Sequence, residues 1–115
     1  MDRRFAFVLP LALAALAAAA IAPAARADEP TFRLTIKDHK FAPADFEVPA
    51  KAKVKLVVKN ADSTPEEFES SRLHRERVIP GGQEATIMIG PLEPGTYKYV
   101  GDFHRATAHG TITAK

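Results

Sequence analysis

The sequence contains no cysteine, and this absence excludes several ways of holding a small protein together. Disulfides, which commonly brace small exported domains, cannot form. Thiolate metal ligands are missing as well, and only two methionines are present. Because Cu(I) prefers sulfur ligands, this composition disfavours Cu(I) and favours harder cations. A domain this small must then rely on an unusually complete core, or on help from a metal or a partner.

The first residues have the pattern of a targeting segment. Residues 1–4 are short and positive, residues 5–21 are apolar and rich in Ala and Leu, and Ala25 and Ala27 are small. Small residues at these two spacings are what a signal peptidase reads. We therefore predict a signal peptide at residues 1–27, a single domain at residues 28–115, and export to the periplasm. An uncleaved membrane anchor is the alternative.

A strong excess of charge of one sign is also lacking once this segment is set aside. The formal net charge of +2 is accounted for by Asp2, Arg3, Arg4 and Arg26. The remaining domain is close to neutral, which argues against a partner such as nucleic acid.

Hydrophobic residues beyond residue 28 recur mostly with a period of two. Phe32, Leu34 and Ile36 alternate with polar residues, and the lysine-rich stretch around Val54 does the same, as half-buried strands do. Turn signals rich in Pro, Gly and Asn separate such stretches. We predict an all-β fold, a two-sheet antiparallel Greek-key sandwich of about seven strands. Residues 70–77 are the one stretch compatible with a turn or two of helix. The predicted strands lie at 32–36, 46–48, 53–59, 67–70, 85–89, 97–100 and 111–114.

Histidines and an acidic cluster are the candidate metal ligands. In a sandwich the loops gather at the two ends, so residues distant in sequence can meet there. Counting strands places the turn near residue 39, the loop after Asn60 and the loop at 100–110 at one end. Carboxylate and imidazole ligands suit Cu(II), Fe, Mn or Zn. The candidates are His104, Glu66, His109, Glu67, Glu69 and His39.

Each candidate also has a purely structural interpretation. His104 could brace its loop through hydrogen bonds, and His109 could point to solvent at the start of a strand. The glutamates could be the charged surface of an edge strand. Strand alternation places Glu67 and Glu69 on one face and Glu66 on the other, so at least one glutamate should point away from any site. His39 could belong to an ordinary polar turn.

Several segments together resemble a known superfamily. They are "FAP" at 41–43, "VKN" at 58–60, "PEEFES" at 65–70, "IGPLEPGTYKY" at 89–99, "GDFH" at 101–104 and the closing "HGTITA". With this set, residues 28–115 resemble a cupredoxin. Within that superfamily they are similar to the periplasmic cupredoxin-like domains of the EfeO type, which are associated with bacterial iron uptake.

The departures from blue-copper proteins of that superfamily are as informative as the resemblance. Their second ligand loop carries a cysteine, a histidine three residues later and a methionine about five residues further on. Here those places hold Gly101, His104 and His109, and the place of their first histidine holds Glu66. The resemblance therefore implies a copper or iron ion as cofactor, in a site that is not a blue-copper site.

The function that the resemblance implies is metal handling in the periplasm. The protein would bind copper, iron or both for a ferrous or ferric iron uptake system. It would capture metal or pass electrons, with an inner-membrane iron permease and other periplasmic iron-uptake components as partners; a homodimer is left open. Two alternatives remain: an enzyme that oxidises Fe(II) at a bound copper, and a docking module that binds no metal.

Overall fold

The computed structural model describes residues 29–115, and the predicted signal peptide at residues 1–27 lies outside this range. Within the described residues, no helix has the length and apolar character needed to cross a membrane. Nine strands and one short 3-10 helix form the domain. They are β1 (Thr31–Lys37), β2 (Lys40–Ala42), β3 (Asp45–Val48), β4 (Val54–Asn60), β5 (Glu66–Ser70), β6 (Arg75–Ile79), β7 (Glu84–Ile89), β8 (Gly95–Gly101), the 3-10 helix Asp102–His104 and β9 (His109–Ala114).

The strands form two sheets packed face to face, which confirms the predicted sandwich. One sheet has the order β2-β1-β4-β7 and the other has the order β3-β9-β8-β5-β6. The prediction of purely antiparallel sheets is wrong, because β1 pairs with β4 and β3 pairs with β9 in parallel. Parallel neighbours require a connection that crosses over, and the alternation of side chains does not reveal the direction of a partner strand.

Two strands were missed by the hydrophobic pattern. β2 has only three residues. β6 overlaps the end of residues 70–77, the stretch compatible with helix, yet it pairs with β5 along its whole length at the edge of its sheet. Its first four residues are exposed and only Ile79 is buried. Because an edge strand can be held by backbone pairing alone, its side chains need not alternate.

The core lies between the two sheets and is built from the alternating positions of the strands. Leu34, Ile36, Leu56 and Ile87 from the first sheet face the second sheet, and all are buried.

An aromatic cluster lies beneath one end of the sandwich. In it, Phe68 and Tyr99 stack with centroids 5.2 Å apart, and the edge of Phe41 meets Tyr99 at 4.9 Å. Burial raises the pKa of Tyr99 well above its usual value, and the hydroxyl donates to the Ala44 carbonyl at 2.5 Å.

A buried amide organises the loop that leads into β5. Asn60 is fully buried, and its side-chain NH₂ donates to the carbonyls of Thr64, at 2.8 Å, and Ile79, at 3.0 Å. Its side-chain oxygen accepts from the Asp62 N–H at 3.0 Å. The three bonds fix the path of the chain from the end of β4 to Glu66. Any site that uses Glu66 depends on this amide.

We expect the Asn60→Ala substitution to destabilise the fold by about 3 kcal/mol, because it leaves the buried carbonyl of Ile79, the part-buried carbonyl of Thr64 and the N–H of Asp62 without their partner. Urea unfolding followed by circular dichroism measures this change. The neighbouring exposed Lys59 provides the control, since Lys59→Ala should change stability by less than about 0.5 kcal/mol. Equal effects of the two substitutions would contradict the organising role of the amide.

Candidate metal-binding site

A carboxylate is buried at the start of β5. The side chain of Glu66 is 1% exposed, and both of its oxygens have partners. Oε1 accepts hydrogen bonds from the backbone N–H of Phe103 at 2.8 Å and of Glu67 at 3.0 Å. Oε2 lies 2.5 Å from Nδ1 of His104. A buried charge needs such partners, and here they are drawn from β5 and from the 3-10 helix after β8.

The space for this carboxylate exists because residue 101 is glycine. A Cβ atom at Gly101 would lie 2.7 Å from Cδ of Glu66 and 2.7 Å from Cβ of Ala108. Such distances are far inside van der Waals contact. The position of the cysteine in related blue-copper loops is thus filled by the glutamate from the neighbouring strand, and a side chain at residue 101 is incompatible with it.

The contact with Glu66 also determines which nitrogen of His104 is free. An ionised carboxylate only accepts hydrogen bonds, so the contact places a hydrogen on Nδ1. Nε2 makes no hydrogen bond within the described part of the chain, and 27% of the side chain is exposed. A carboxylate that orients an imidazole in this way is the usual support of a metal-binding histidine.

The ring of His39 stacks directly on that of His104. The two centroids are 3.5 Å apart and the ring planes differ by 12°. His39 comes from the tight turn between β1 and β2, in which Asp38 and His39 have φ of 52° and 57°. Left-handed conformations at both central residues are typical of a two-residue hairpin turn. Nε2 of His39 lies 3.5 Å from Oγ1 of Thr64, in the loop organised by Asn60.

Asp62 holds this turn in place from the neighbouring loop. Its carboxylate accepts from the backbone N–H of Asp38 at 2.8 Å and of His39 at 3.0 Å. The bond from the His39 N–H is the main cause that lowers the pKa of Asp62, and burial opposes it. The turn that carries His39 is therefore tied to the chain segment that leads into Glu66.

The expected convergence of three loops holds for His39, Glu66 and His104. Their side chains meet at one end of the sandwich, in an arrangement of two imidazoles with a buried carboxylate behind one of them. The donors accessible to an ion are ring nitrogens, which suit Cu(II), Zn(II) and iron. The set lacks a thiolate, so a blue-copper site does not fit. Glu66 already bonds to three groups, which makes it a support for His104 rather than an open ligand.

The other two glutamates lie on the opposite face of β5, as strand alternation predicts. One carboxylate oxygen each from Glu67, Glu69 and Asp102 lies within 4.8 Å of the others. Arg105 bonds to two of the three: Nε donates to Asp102 at 2.6 Å, and NH2 donates to Glu69 at 3.1 Å. This guanidinium lowers the pKa of Asp102. Burial is the main cause that raises the pKa of Glu67 and of Glu69.

Two interpretations of these glutamates are corrected by this placement. Glu67 and Glu69 do not join Glu66 beside His104, because successive residues of a strand point to opposite faces. They are not on an edge strand either, since β5 lies between β8 and β6. Arg105 offsets part of the charge of this cluster through its bonds to Asp102 and Glu69.

The structure also separates His109 from His104. His109 is exposed at the start of β9, opposite Val100, while the next residue, Gly110, is buried. The side chain therefore lies on the outer face of the sheet, beside Lys98 and Thr111. The place next to Gly101 is taken by Ala108, which is fully buried. Ala108 therefore takes the inner position that the count along the loop assigned to His109.

Sequence reasoning missed the residues that support the two rings. Asp62 and Thr64 were not candidates, although the Asn60-Ala61-Asp62 turn was recognised as a turn. Asx residues at turns commonly accept backbone hydrogen bonds, which was the available signal for Asp62. Phe103, next to His104 in the 3-10 helix, is 48% exposed and does not shield the two rings from water.

Comparison with known proteins agrees with this fold. Residues 10–114 match the family of cupredoxin-like domains, so the chain belongs to this family, and the predicted cupredoxin-like sandwich is confirmed. An uncharacterised protein of Rickettsia prowazekii (strain Madrid E) is 50% identical over 80 residues, which cover 70% of this chain. The match spans 64% of that relative's length, just under two thirds.

Solved structures share the fold at low sequence identity. The metal-binding domain of the Cu(I)-exporting P-type ATPase CopA of Streptococcus pneumoniae D39, solved with Cu(I), has a TM-score of 0.67 at 15% identity, covering 74% of this chain and 84% of that one. Auracyanin A, a "blue" copper protein from Chloroflexus aurantiacus, has a TM-score of 0.64 at 13% identity, covering 74% and 98%. A purple cupredoxin from Nitrosopumilus maritimus has a TM-score of 0.55 at 20% identity, covering 72% and 98%. These likenesses establish the fold.

We expect the Gly101→Cys substitution alone to destabilise the protein by about 1–3 kcal/mol, because the new Cβ overlaps the Glu66 carboxyl group. Replacing Glu66 by His in the same chain should relieve the overlap and place a thiolate beside two imidazoles. Such a set binds Cu(II) with the strong visible absorption of a copper–thiolate bond. Visible spectroscopy of the copper-loaded double variant measures this, with Glu66→His alone as the control.

If Gly101→Cys is as stable as the natural chain, the carboxylate does not occupy the place of the thiolate. A colourless double variant that still binds copper would also contradict this interpretation.

Proposed function

We propose that this protein captures an oxidised metal ion, with Cu(II) as the preferred ion, at the end of the sandwich where His39 and His104 meet. The observation that carries the proposal is the contact of the two rings at 3.5 Å, with Nδ1 of His104 held by the buried Glu66. This contact leaves Nε2 of His104 as an oriented donor at the surface. His39 supplies the second nitrogen.

The donor set favours Cu(II) over the Cu(I) named for one structural relative. Imidazole is a strong ligand for Cu(II), which also stands highest in the general order of affinity for divalent metals. Sulfur ligands, which stabilise Cu(I), are absent from the sequence apart from two methionines, of which Met88 lies in β7. When bound, Cu(II) supplies a Lewis-acidic centre that one electron can reduce.

The two rings differ in how firmly they are held. His104 is fixed by Glu66 and by the 3-10 helix that carries it, whereas the His39 ring is held by its stacking on His104 and a long contact with Thr64. The rings now stack nearly in parallel, so sharing an ion requires rotation of a side chain. His39 is the ring free to rotate, which suits an ion that is taken up and released rather than one held permanently.

We further propose that this capture takes place in the periplasm and serves iron uptake. Support comes from the signal-peptide pattern at residues 1–27 and from the resemblance of the "PEEFES" and "GDFH" segments to cupredoxin-like domains of iron uptake. Under this proposal the ion, copper or iron, is passed to an inner-membrane iron permease or to another periplasmic component. The accessible imidazole pair favours metal capture over electron transfer, which rigid thiolate sites serve better.

We expect one Cu(II) ion to bind per site, and His104→Ala or His39→Ala to weaken binding at least tenfold, because each removes one of two imidazole ligands. Calorimetry measures the affinity, and electron paramagnetic resonance counts the bound nitrogens. His74→Ala and His109→Ala are the matched controls. His74 lies in the turn after the far end of β5 and His109 on the outer face of the sheet.

Unchanged binding in both the His39 and His104 variants would overturn the proposed site. Absence of binding by Cu(II) and by iron in the natural chain would favour the docking module instead. The iron-uptake role is tested separately in cells that express the uptake system. If Cu(II) binds but the His39 and His104 substitutions leave iron uptake unchanged, the metal site stands and the iron-uptake role fails.

A further inference from the structure

A second concave site lies on the outer face of the five-stranded sheet, where β5 and β8 part. The two strands pair only through Phe68 with Gly101 and Glu69 with Val100. Beyond these pairs β5 ends and the chain turns away, while β8 continues back to Gly95. The gap forms a cavity of about 400 Å³. Its size falls within the range of small-molecule sites.

Backbone groups of β8 face this gap without a strand to pair with. The N–H of Gly101 donates to the carbonyl of Ala108, so the backbone groups of Gly101 point toward β9. Alternate residues of an antiparallel strand bond to opposite sides, so the N–H and C=O of Lys98 point toward β5. The carbonyl accepts from the Ser70 hydroxyl at 2.7 Å. The N–H lies beyond the last paired residues and faces the cavity.

Cationic side chains surround the same gap. Arg72, Lys98 and Arg105 line the cavity, against the single carboxylate of Glu69. Arg105 is paired with Asp102 and Glu69, but Arg72 and Lys98 form no ion pair with any carboxylate of residues 29–115. The guanidinium of Arg72 is placed over the ring of Tyr97, 4.8 Å from its centroid. The lining of the cavity therefore carries three cations against one carboxylate, and the cluster of Glu67, Glu69 and Asp102 borders it beside Arg105.

We propose that this cavity binds a small organic anion with two or more carboxylates. Arg72 and Lys98 are two separate cations without an ion pair among residues 29–115, and each can bond to one carboxylate of the ligand. The Lys98 N–H adds a fixed donor between them, as backbone amides do in anion sites. Thr96 and Val100 contribute apolar surface to the wall, which suits a ligand with a carbon skeleton. An inorganic anion such as phosphate is too small to span the cavity.

This site is separate from the imidazole pair and does not depend on metal binding. The cavity is lined from β5, the turn after it, β8 and Arg105, and none of the residues that hold His39 or His104 takes part. Its test can therefore fail while the proposed metal site stands, and the reverse also holds.

Citrate, a tricarboxylate, is the probe for this proposal, and the metal-free protein is used so that chelation does not contribute. We expect calorimetry to detect saturable citrate binding in the micromolar to millimolar range. The backbone N–H signal of Lys98 should shift in ¹H–¹⁵N spectra. Arg72→Gln and Lys98→Ala should each weaken binding about tenfold, since each removes one charge-assisted hydrogen bond. Lys59→Ala, the same loss of charge on the other sheet, is the control and should leave binding unchanged.

Three outcomes would overturn the proposal. Citrate could fail to bind at millimolar concentration. Inorganic phosphate could bind as tightly as citrate, which would indicate simple attraction to charge. Lys59→Ala could weaken binding as much as Lys98→Ala does, which would show that no defined cavity is involved.

Discussion

The buried carboxylate of Glu66 is the group on which the end of this sandwich depends. It joins β5 to the 3-10 helix through the Phe103 N–H, and it orients the ring of His104 through Nδ1. Leaving such a charge without partners costs several kcal/mol. The glycine at 101 makes room for it, and the Asn60 amide fixes the loop that delivers it. The same carboxylate therefore holds β5 against the 3-10 helix and orients the imidazole of the proposed site.

Under the proposed function, this arrangement gives a cupredoxin-like fold a donor set without thiolate at the end of the sandwich where the two imidazoles meet. The histidine on the loop after β8 is retained, while the cysteine and the first histidine are replaced by glycine and glutamate. The glutamate side chain does not simply take over the coordination of the missing histidine. It fills the space of the thiolate and supports the remaining imidazole from behind. The second accessible imidazole then comes from the hairpin turn at His39, on the other sheet.

The sequence predicted much of the fold because alternation of apolar residues is strong in the central strands. β1, β7 and β8 alternate clearly, and each packs one face on the core. β6 was not predicted from the sequence because an edge strand is held by backbone pairing. Its first four side chains are exposed, so they show no alternation of apolar and polar residues. The parallel pairing of β1 with β4 is a matter of topology, which the period of a single strand does not encode.

The site was predictable where the loops are short and less so where they are long. His39 lies in a two-residue turn and Glu66 at the first residue of its strand, so counting strands placed both correctly beside His104. His109 follows a loop that contains the 3-10 helix, and Ala108 takes the inner position there. Asp62 acts only through backbone hydrogen bonds, which a list of candidate metal ligands does not reveal.

The protonation of the His104 ring tests the central role of Glu66 most directly. Long-range ¹H–¹⁵N spectra of the metal-free protein at mildly alkaline pH distinguish the two ring nitrogens. We predict a hydrogen on Nδ1 and a free Nε2, with Nε2 as the nitrogen whose signal changes when Zn(II) is added as a diamagnetic probe. A ring that carries its hydrogen on Nε2, or one whose Nδ1 binds the ion, would contradict the support of His104 by the buried carboxylate.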